Sequence, residues 1–426
     1  MDVSQMHELA EELDAFLARF DDCFRRSDTR QHLGRYVRGQ LADLDAKSVE
    51  PIALHVGVPV RTLQEFLAQH RWDENSVRGR VAQIVIEEQA GPNAVGIIDE
   101  TSDVKKGEKT PGVQRQWCGK VGKRENCMVT VHLGYARDDF HCLLDGELFL
   151  PESWSDDRGR CEEAGIPEDM VYRPKWQIAL ELYDRSRSHG VDLKWITADE
   201  GYGGKPGFHE GLQQRDQLYV LEVPRNFSVW IDPPETTDRR YRRGGRGRSR
   251  QTPRVKAGQP GPRSVEQALW FSEAMKSVLW QKYHIKDSDH GPVVWEAKRI
   301  RVTMKGSDGL PGQEVWLIAA RNLLDPSELK FFVSNASRQA TLETLLPVAF
   351  TRWRIERSFR DQKQEVGLDC YEGRRYLGLK RHLILSSISY LFLSLAKYRL
   401  SEKKSGDHHS AAAGRRRHHR TELVGT

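Results

Sequence analysis

The chain has 426 residues, 38% of them hydrophobic and 30% charged, with 66 Lys+Arg against 61 Asp+Glu and a net charge of +5. That length suits roughly two to three domains, and balanced charge at this density excludes a collagen-like, mucin-like or disulfide-scaffold chain. A charge of +5 says little about nucleic acid until its distribution is known. The six cysteines (23, 118, 127, 142, 161 and 370) include no C-x2-C pair, which predicts reduced intracellular thiols. The opening MDVSQMHELAEELD is acidic and amphipathic, unlike a secretory signal. The most apolar run, residues 382–396, is shorter than the ~20 residues of a membrane span and is interrupted by four serines, so it predicts a buried helix. His382, at its start, reads as a solvated helix-start residue. A soluble cytoplasmic protein with no membrane partner is expected.

Residues 1–92 carry apolar side chains at helical spacing (Leu9, Leu13, Phe16, Phe20; Val60, Leu63, Phe66, Leu67), with sixteen acids against eleven Lys and Arg. Within them, residues 49–54 and 59–70 around Gly57 fit a helix-turn-helix that would present Arg61, His70 and Arg71, and fit a plain bundle equally well. AVGIID (94–99), CMVTVHLGYA (127–136) and HCLLDGELFLP (141–151) then read as strands of an antiparallel meander. A helix over 175–188, the strand LKWITAD (193–199), a short helix over 208–215 and the strand QLYVLEVP (217–224) follow. The order β-β-β-α-β-α-β predicts a mixed sheet rather than repeated βαβ units. Residues 236–263 hold ten Lys and Arg against one Asp among Gly and Pro, an exposed loop or arm. Strand-like runs at 293–304, 314–321 and 329–333 follow, and Trp270, Trp280, Trp295 and Trp316 in this stretch read as core. One helical period then runs from 340 through 364.

Three acids stand out. Asp99 ends the first apolar strand in GIIDET, Asp199 ends the fourth in ITADEGYGG, and Glu356 lies on the late helix in RWRIERSFRDQKQEVGLD. Acids after neighbouring strands can converge at one sheet edge, and a helix packed there can add a third. Carboxylates are the hard oxygen ligands that Mg2+ prefers, and a pair of ions ~3.5–4 Å apart activates a nucleophile at phosphorus and stabilises the leaving oxygen. Each acid alone is more often a helix cap, a turn former or a solvated charge. Glu100, Asp103, Glu200 and Glu365 compete by spacing. The glycines after Asp199 would let a substrate backbone come close. Lys105, Lys106, Lys109, Arg115, Lys120, Lys123 and Arg124 make a basic loop after Asp99, which a solvated hairpin explains as well as a DNA contact does. On a helical wheel Arg352 lies about 40° and Lys363 about 20° from Glu356, so all three share a face suited to holding phosphates.

GIIDET, GVQRQWCGKVGKRENC, ADEGYG and RWRIERSFRDQKQEVGLD together resemble the DDE-superfamily transposases of bacterial insertion sequences, over roughly residues 94–395. The pattern at 47–73 resembles the helical segment that precedes the core in that group. The resemblance implies an α/β RNase H-like core, a mixed five-stranded sheet flanked by helices. An all-helical N-terminal DNA-binding domain (1–92) would precede it. The core would be split into 93–224 and 339–400 by a β-rich insertion (225–338) bearing the basic arm 236–263, with a disordered basic tail at 401–426. It implies Asp99, Asp199 and Glu356 as catalytic and metal-binding residues, and Mg2+ or Mn2+ as cofactor, two ions. Arg352, Glu356 and Lys363 fit the subgroup's Y-x2-R-x3-E-x6-K signature, with Ala349 at the Tyr position and Phe350 beside it.

The partners implied are double-stranded DNA, as transposon ends and as target, and a second copy of the chain in a synaptic homodimer on the bacterial nucleoid. DNA contacts are expected from Arg352, Lys363, Lys105, Lys106, Arg115, Lys120 and Lys123. The arm residues Arg239, Arg240, Arg242, Arg243, Arg246, Arg248 and Arg250 are expected to add phosphate contacts. The activity implied is metal-dependent DNA cleavage and strand transfer. The alternatives are a catalytically silent or domesticated DNA-binding derivative and another RNase H-like nuclease.

Overall fold

A computed structural model describes residues 3–237, 252–288 and 291–421. Five helices open the chain: α1 (Val3–Ala18), α2 (Ser27–Leu41), α3 (Val49–His55), α4 (Val60–Ala68) and α5 (Glu74–Gln89). Their apolar stripes are buried, with Phe20, Tyr36, Phe66 and Val85 fully enclosed. α3 and α4 form the expected turn. Gly57 takes φ +68°, and the Gly57 and Val58 amides bond back to Leu54 and Ala53, closing the end of α3. α2 and α4 pack on the last helix of the chain.

The central sheet is built from β1 (Val95–Val104), β2 (Gln114–Cys118), β3 (Lys123–Arg137), β4 (Phe140–Leu148), β5 (Trp195–Ala198) and β6 (Tyr219–Val223). β4, β3 and β1 are antiparallel in that order, and β5 and β6 continue parallel to β1. This is the mixed five-stranded arrangement of an RNase H-like core. β3 turns into β4 through Asp138 and Asp139, with Asp138 at φ +48°, a conformation that a short polar side chain tolerates. Helices α6 (Glu152–Ser155), α7 (Arg158–Ala164) and α8 (Lys175–Ser188) follow β4, and α9 (Glu200–Gly203) and α10 (Pro206–Gln213) follow β5.

The sheet does not stop at five strands. Beyond β6 come β7 (Ser228–Trp230), β8 (Thr236–Thr237), β9 (Arg254–Val255), β10 (Arg263–Ser264), helices α11 (Val265–Phe271) and α12 (Glu273–Lys276), then β11 (Gln281–Ser288), β12 (Gly291–Lys305), β13 (Pro311–Asn322) and β14 (Leu329–Ser334). β14 pairs antiparallel with β6, so the insertion prolongs the core into one twelve-stranded sheet. The five expected core strands stand, and strands of the following stretch are added at the β6 edge. β6 would otherwise be an edge strand with unpaired backbone groups, and β14 covers that edge. Of the tryptophans read as core, Trp295 is buried. Trp316 is flanked by the Arg299 and Arg301 guanidinium groups at 3.9 and 5.0 Å, and Trp270 is exposed.

The late helical stretch is also divided, into α13 (Leu342–Phe350) and α14 (Trp353–Glu365). Pro347 weakens the end of α13, and the Thr351 hydroxyl donates to the Pro347 carbonyl at 2.6 Å at the break. The last helix is α15 (Tyr376–Thr421). Its Tyr376–Ser401 part is long and apolar enough to cross a membrane, but most of it is buried inside the protein. His382 is buried rather than solvated: the Tyr36 hydroxyl lies 2.9 Å from its Nδ1, and its Nε2 lies 3.0 Å from the Gly367 carbonyl. One contiguous apolar cluster runs from Phe16 to Leu395.

Candidate active site

The site forms where the parallel ladders end. β1 and β5 pair from Val95 opposite Trp195 to Ile98 opposite Ala198, and β5 and β6 pair to Ala198 opposite Leu221. The next residue on each strand is acidic: Asp99, Asp199 and Glu222. Ile97, Ile98, Ile196, Ala198, Val220 and Leu221 are buried and hold the ladders in this register. Asp199 leaves the strand because its carboxylate caps α9, accepting from the Gly201 and Tyr202 amides at 2.9 and 3.3 Å. Asp99 does not end its strand as the sequence suggests. β1 runs on to Val104 because β3 continues to pair with it, and Asp99 lies opposite His132. Gly203 serves packing rather than substrate approach, since a Cβ there would meet the Glu222 carbonyl oxygen at 1.9 Å.

α14 lies along β1 and closes the site. The break at Thr351 and Arg352 places Glu356 in its first turn, where the positive helix end favours an acid. Arg352 bridges the acids: its Nη1 is 2.7 Å from Glu356 Oε1 and 3.5 Å from Asp99 Oδ2, and its Nε is 3.7 Å from Glu222 Oε2. Lys330 of β14 holds the other Glu222 oxygen at 2.7 Å. Next to Asp99 on β1, Glu100 pairs with Lys175.

Charge and burial conflict here. Asp99 is 8% exposed. Burial first, and then the neighbouring Asp199, raise its carboxyl to about 8, with Arg352 acting in the opposite direction. Asp199 is likewise raised by burial and by Glu100. Two acids pressed together in a dry edge, with one guanidinium among them, make a donor set of hard oxygens short of positive charge. Hard carboxylate oxygens are the donors that divalent cations prefer. Among the described residues, no three acid, His or Cys side chains converge closely enough to hold an ion as they stand. Arg352 lies where their charges meet.

The remaining predicted residues divide. Lys363 projects from the same face of α14 as Arg352 but donates to the Ser102 carbonyl at 3.1 Å, and burial lowers its pKa. Lys105 pairs with Asp103 and donates to the Tyr371 carbonyl at 2.6 Å, while Lys120 pairs with Asp369 at 2.8 Å. Lys106, Arg115 and Lys123 are exposed around the β2–β3 hairpin. Arg239, Arg240, Arg242, Arg243, Arg246, Arg248 and Arg250 lie outside the described residues. Ala349 is buried, and Phe350 packs on Trp295 with ring centroids 4.8 Å apart. Glu222 went unnoticed in the sequence, because in QLYVLEVP it lies inside the strand, before Val223 and Pro224, and not after an apolar run as Asp199 does.

A family model described as DDE superfamily endonuclease matches residues 19–291, a span that holds Asp99 and Asp199 but not Glu356. A protein of Microchaete diplosiphon, named as the probable transposase for insertion sequence element IS701, is 32% identical over 200 residues, 46% of this chain and 49% of that protein. The chain therefore matches about half the length of that relative. Among solved structures, a piggyBac transposase synaptic complex with hairpin DNA aligns over 93% of this chain and 74% of its own, at 12% identity and a TM-score of 0.39. With the family model covering well over half of its length, the chain belongs to the DDE superfamily endonucleases.

Proposed function

We propose that this protein is an insertion-sequence transposase that cuts DNA at the ends of its element and joins those ends to target DNA. The observation that carries the reading is the register that sets Asp99 beside Asp199, with Glu356 reaching the same guanidinium. The match to an IS701 transposase over half its length supports it. Endonucleases of this superfamily depend on divalent metal ions. Here Asp99, Asp199 and Glu356 would hold them, and we propose Mg2+, two ions. When bound, they supply Lewis-acid stabilisation of charge on phosphorus and a more acidic water.

The chain's own residues orient and neutralise. Arg352 would meet a non-bridging phosphate oxygen of the bound DNA. The buried floor of the site lowers the local dielectric, which strengthens those contacts. In the first step water attacks phosphorus, the P–O3′ bond breaks, and a 3′-hydroxyl is released. In the second, that hydroxyl attacks a target phosphorus and displaces the target's own 3′-oxygen. No protein–DNA bond forms, so no Ser or Tyr nucleophile is needed. The exposed Lys106, Arg115 and Lys123 would track the DNA backbone. Two ends brought together require two copies of the chain, and the work would take place on the bacterial nucleoid.

The test is cleavage of end-labelled element DNA with and without Mg2+. Wild type is expected to nick at the element end only with metal, and Asp99→Ala, Asp199→Ala and Glu356→Ala to lose that product. Cleavage by Asp99→Ala at the wild-type rate would remove the assignment.

A further inference from the structure

Glu222 is the third acid of the row, one register position beyond the β5–β6 ladder, and its side chain is 15% exposed. It differs from Asp99 and Glu356 in its partners. One oxygen is held by Lys330 at 2.7 Å, and the other faces the Nε edge of Arg352 at 3.7 Å. The Nη1 corner of the same guanidinium meets Asp99 and Glu356. Arg352 thus has two separate attachments, one to acids that a cation would claim and one to an acid already neutralised by a lysine. A guanidinium tied only to Asp99 and Glu356 would compete directly with any cation for them. A second anchor lets it release those two acids without leaving the site.

We propose that Glu222 is a positioning residue that anchors Arg352, so that cation binding at Asp99 and Glu356 swings the guanidinium onto Glu222 instead of having to expel it. The inference rests on the metal-dependent reading of the site. It also gives β14 an indirect part in the site, because Lys330 fixes the Glu222 carboxylate.

The experiment is a calorimetric titration of the full-length, EDTA-stripped protein with Mn2+ alone, in wild type, Glu222→Gln, Arg352→Gln and the double variant. Glu222→Gln is expected to weaken Mn2+ binding by about 10-fold, the usual scale for a residue that orients a metal site from behind. In the Arg352→Gln background most of that loss should disappear, because Glu222 has nothing left to anchor. Equal losses in both backgrounds would overturn the proposal and make Glu222 a ligand or a simple charge. Should the neutral variant fail to fold, Glu222→Asp keeps the charge but withdraws the carboxylate, and the same cycle decides. Asp99→Asn in the same titration separates the two readings. If it binds Mn2+ as wild type does, the carboxylate site itself is wrong. If it loses binding while the cycle is additive, only the role of Glu222 fails.

Discussion

Two clusters of acids and guanidinium groups lie against the same sheet, each around a buried aspartate, and they differ in their balance of charge. Asp145 on β4 is held by Arg78 of α5 at 2.8 Å and by Arg185 of α8 at 2.5 Å, with Glu147 and the Tyr376 hydroxyl completing the group. Burial acts to raise the Asp145 carboxyl, but the two arginines and their hydrogen bonds outweigh it, and the group lies below the usual carboxylate range. At the other cluster, Asp99, Asp199, Glu222 and Glu356 share Arg352 and Lys330, and Asp99 is pushed up to about 8. Asp99 and Asp145 are similarly buried, so the balance of charge around them makes the difference. A balanced cluster ties α5 and α8 to the sheet. A cluster with surplus acid is the one that we propose takes up a cation.

The same chemical change should therefore have opposite consequences in the two places. The largest effect is expected on activity: Asp99→Asn should slow metal-dependent DNA cleavage roughly ten-thousandfold, about 5 kcal/mol of transition-state stabilisation, as a single-turnover assay would show. Next comes stability. Asp145→Asn leaves Arg78 and Arg185 facing a neutral group and should cost about 3–5 kcal/mol in denaturant unfolding near neutral pH. Asp99→Asn should cost nothing there and should stabilise the metal-free protein. Equal destabilisation by the two variants would erase the distinction.

Dependence on pH sharpens it. The folded Asp99 carboxyl lies above its unfolded value, so its contribution is fully present below about pH 4 and is lost as pH rises toward 8. The advantage of Asp99→Asn over wild type should thus grow from pH 5 to 8 in EDTA. For Asp145 the sign reverses: its contribution is present above the unfolded carboxylate range and is lost on acidification, so the deficit of Asp145→Asn should shrink below about pH 4. Parallel pH profiles for the two variants would contradict the account. The smallest effect concerns the DNA path. Neutralising Lys106, Arg115 or Lys123 singly should each reduce the salt slope of DNA binding by about 0.9, whereas an unchanged slope would take that residue out of the interface.

The sequence revealed this organisation unevenly. Asp99 and Asp199 were recognisable because an acid after a short apolar strand is a local pattern, and Arg352, Glu356 and Lys363 because helical spacing is local too. Glu222 was overlooked because its role depends on the register of three parallel strands, which no local pattern reports. The same reason hid the junction of β14 with β6, which turns an insertion into part of the sheet. Lys105, Lys120 and Lys363 illustrate a different limit. Their charge suggested phosphate, but the fold brings Asp103, Asp369 and the Ser102 and Tyr371 carbonyls to them from distant segments. His382 followed the same course, its partner Tyr36 lying in the first helices of the chain.

The central claim is that surplus acid around the buried Asp99 makes this cluster a cation site. Titration of EDTA-stripped wild type, Asp99→Asn and Asp145→Asn with Mn2+ tests it most directly. The account predicts that wild type and any folded Asp145→Asn bind alike while Asp99→Asn loses at least tenfold in affinity. Unchanged binding in Asp99→Asn would contradict it.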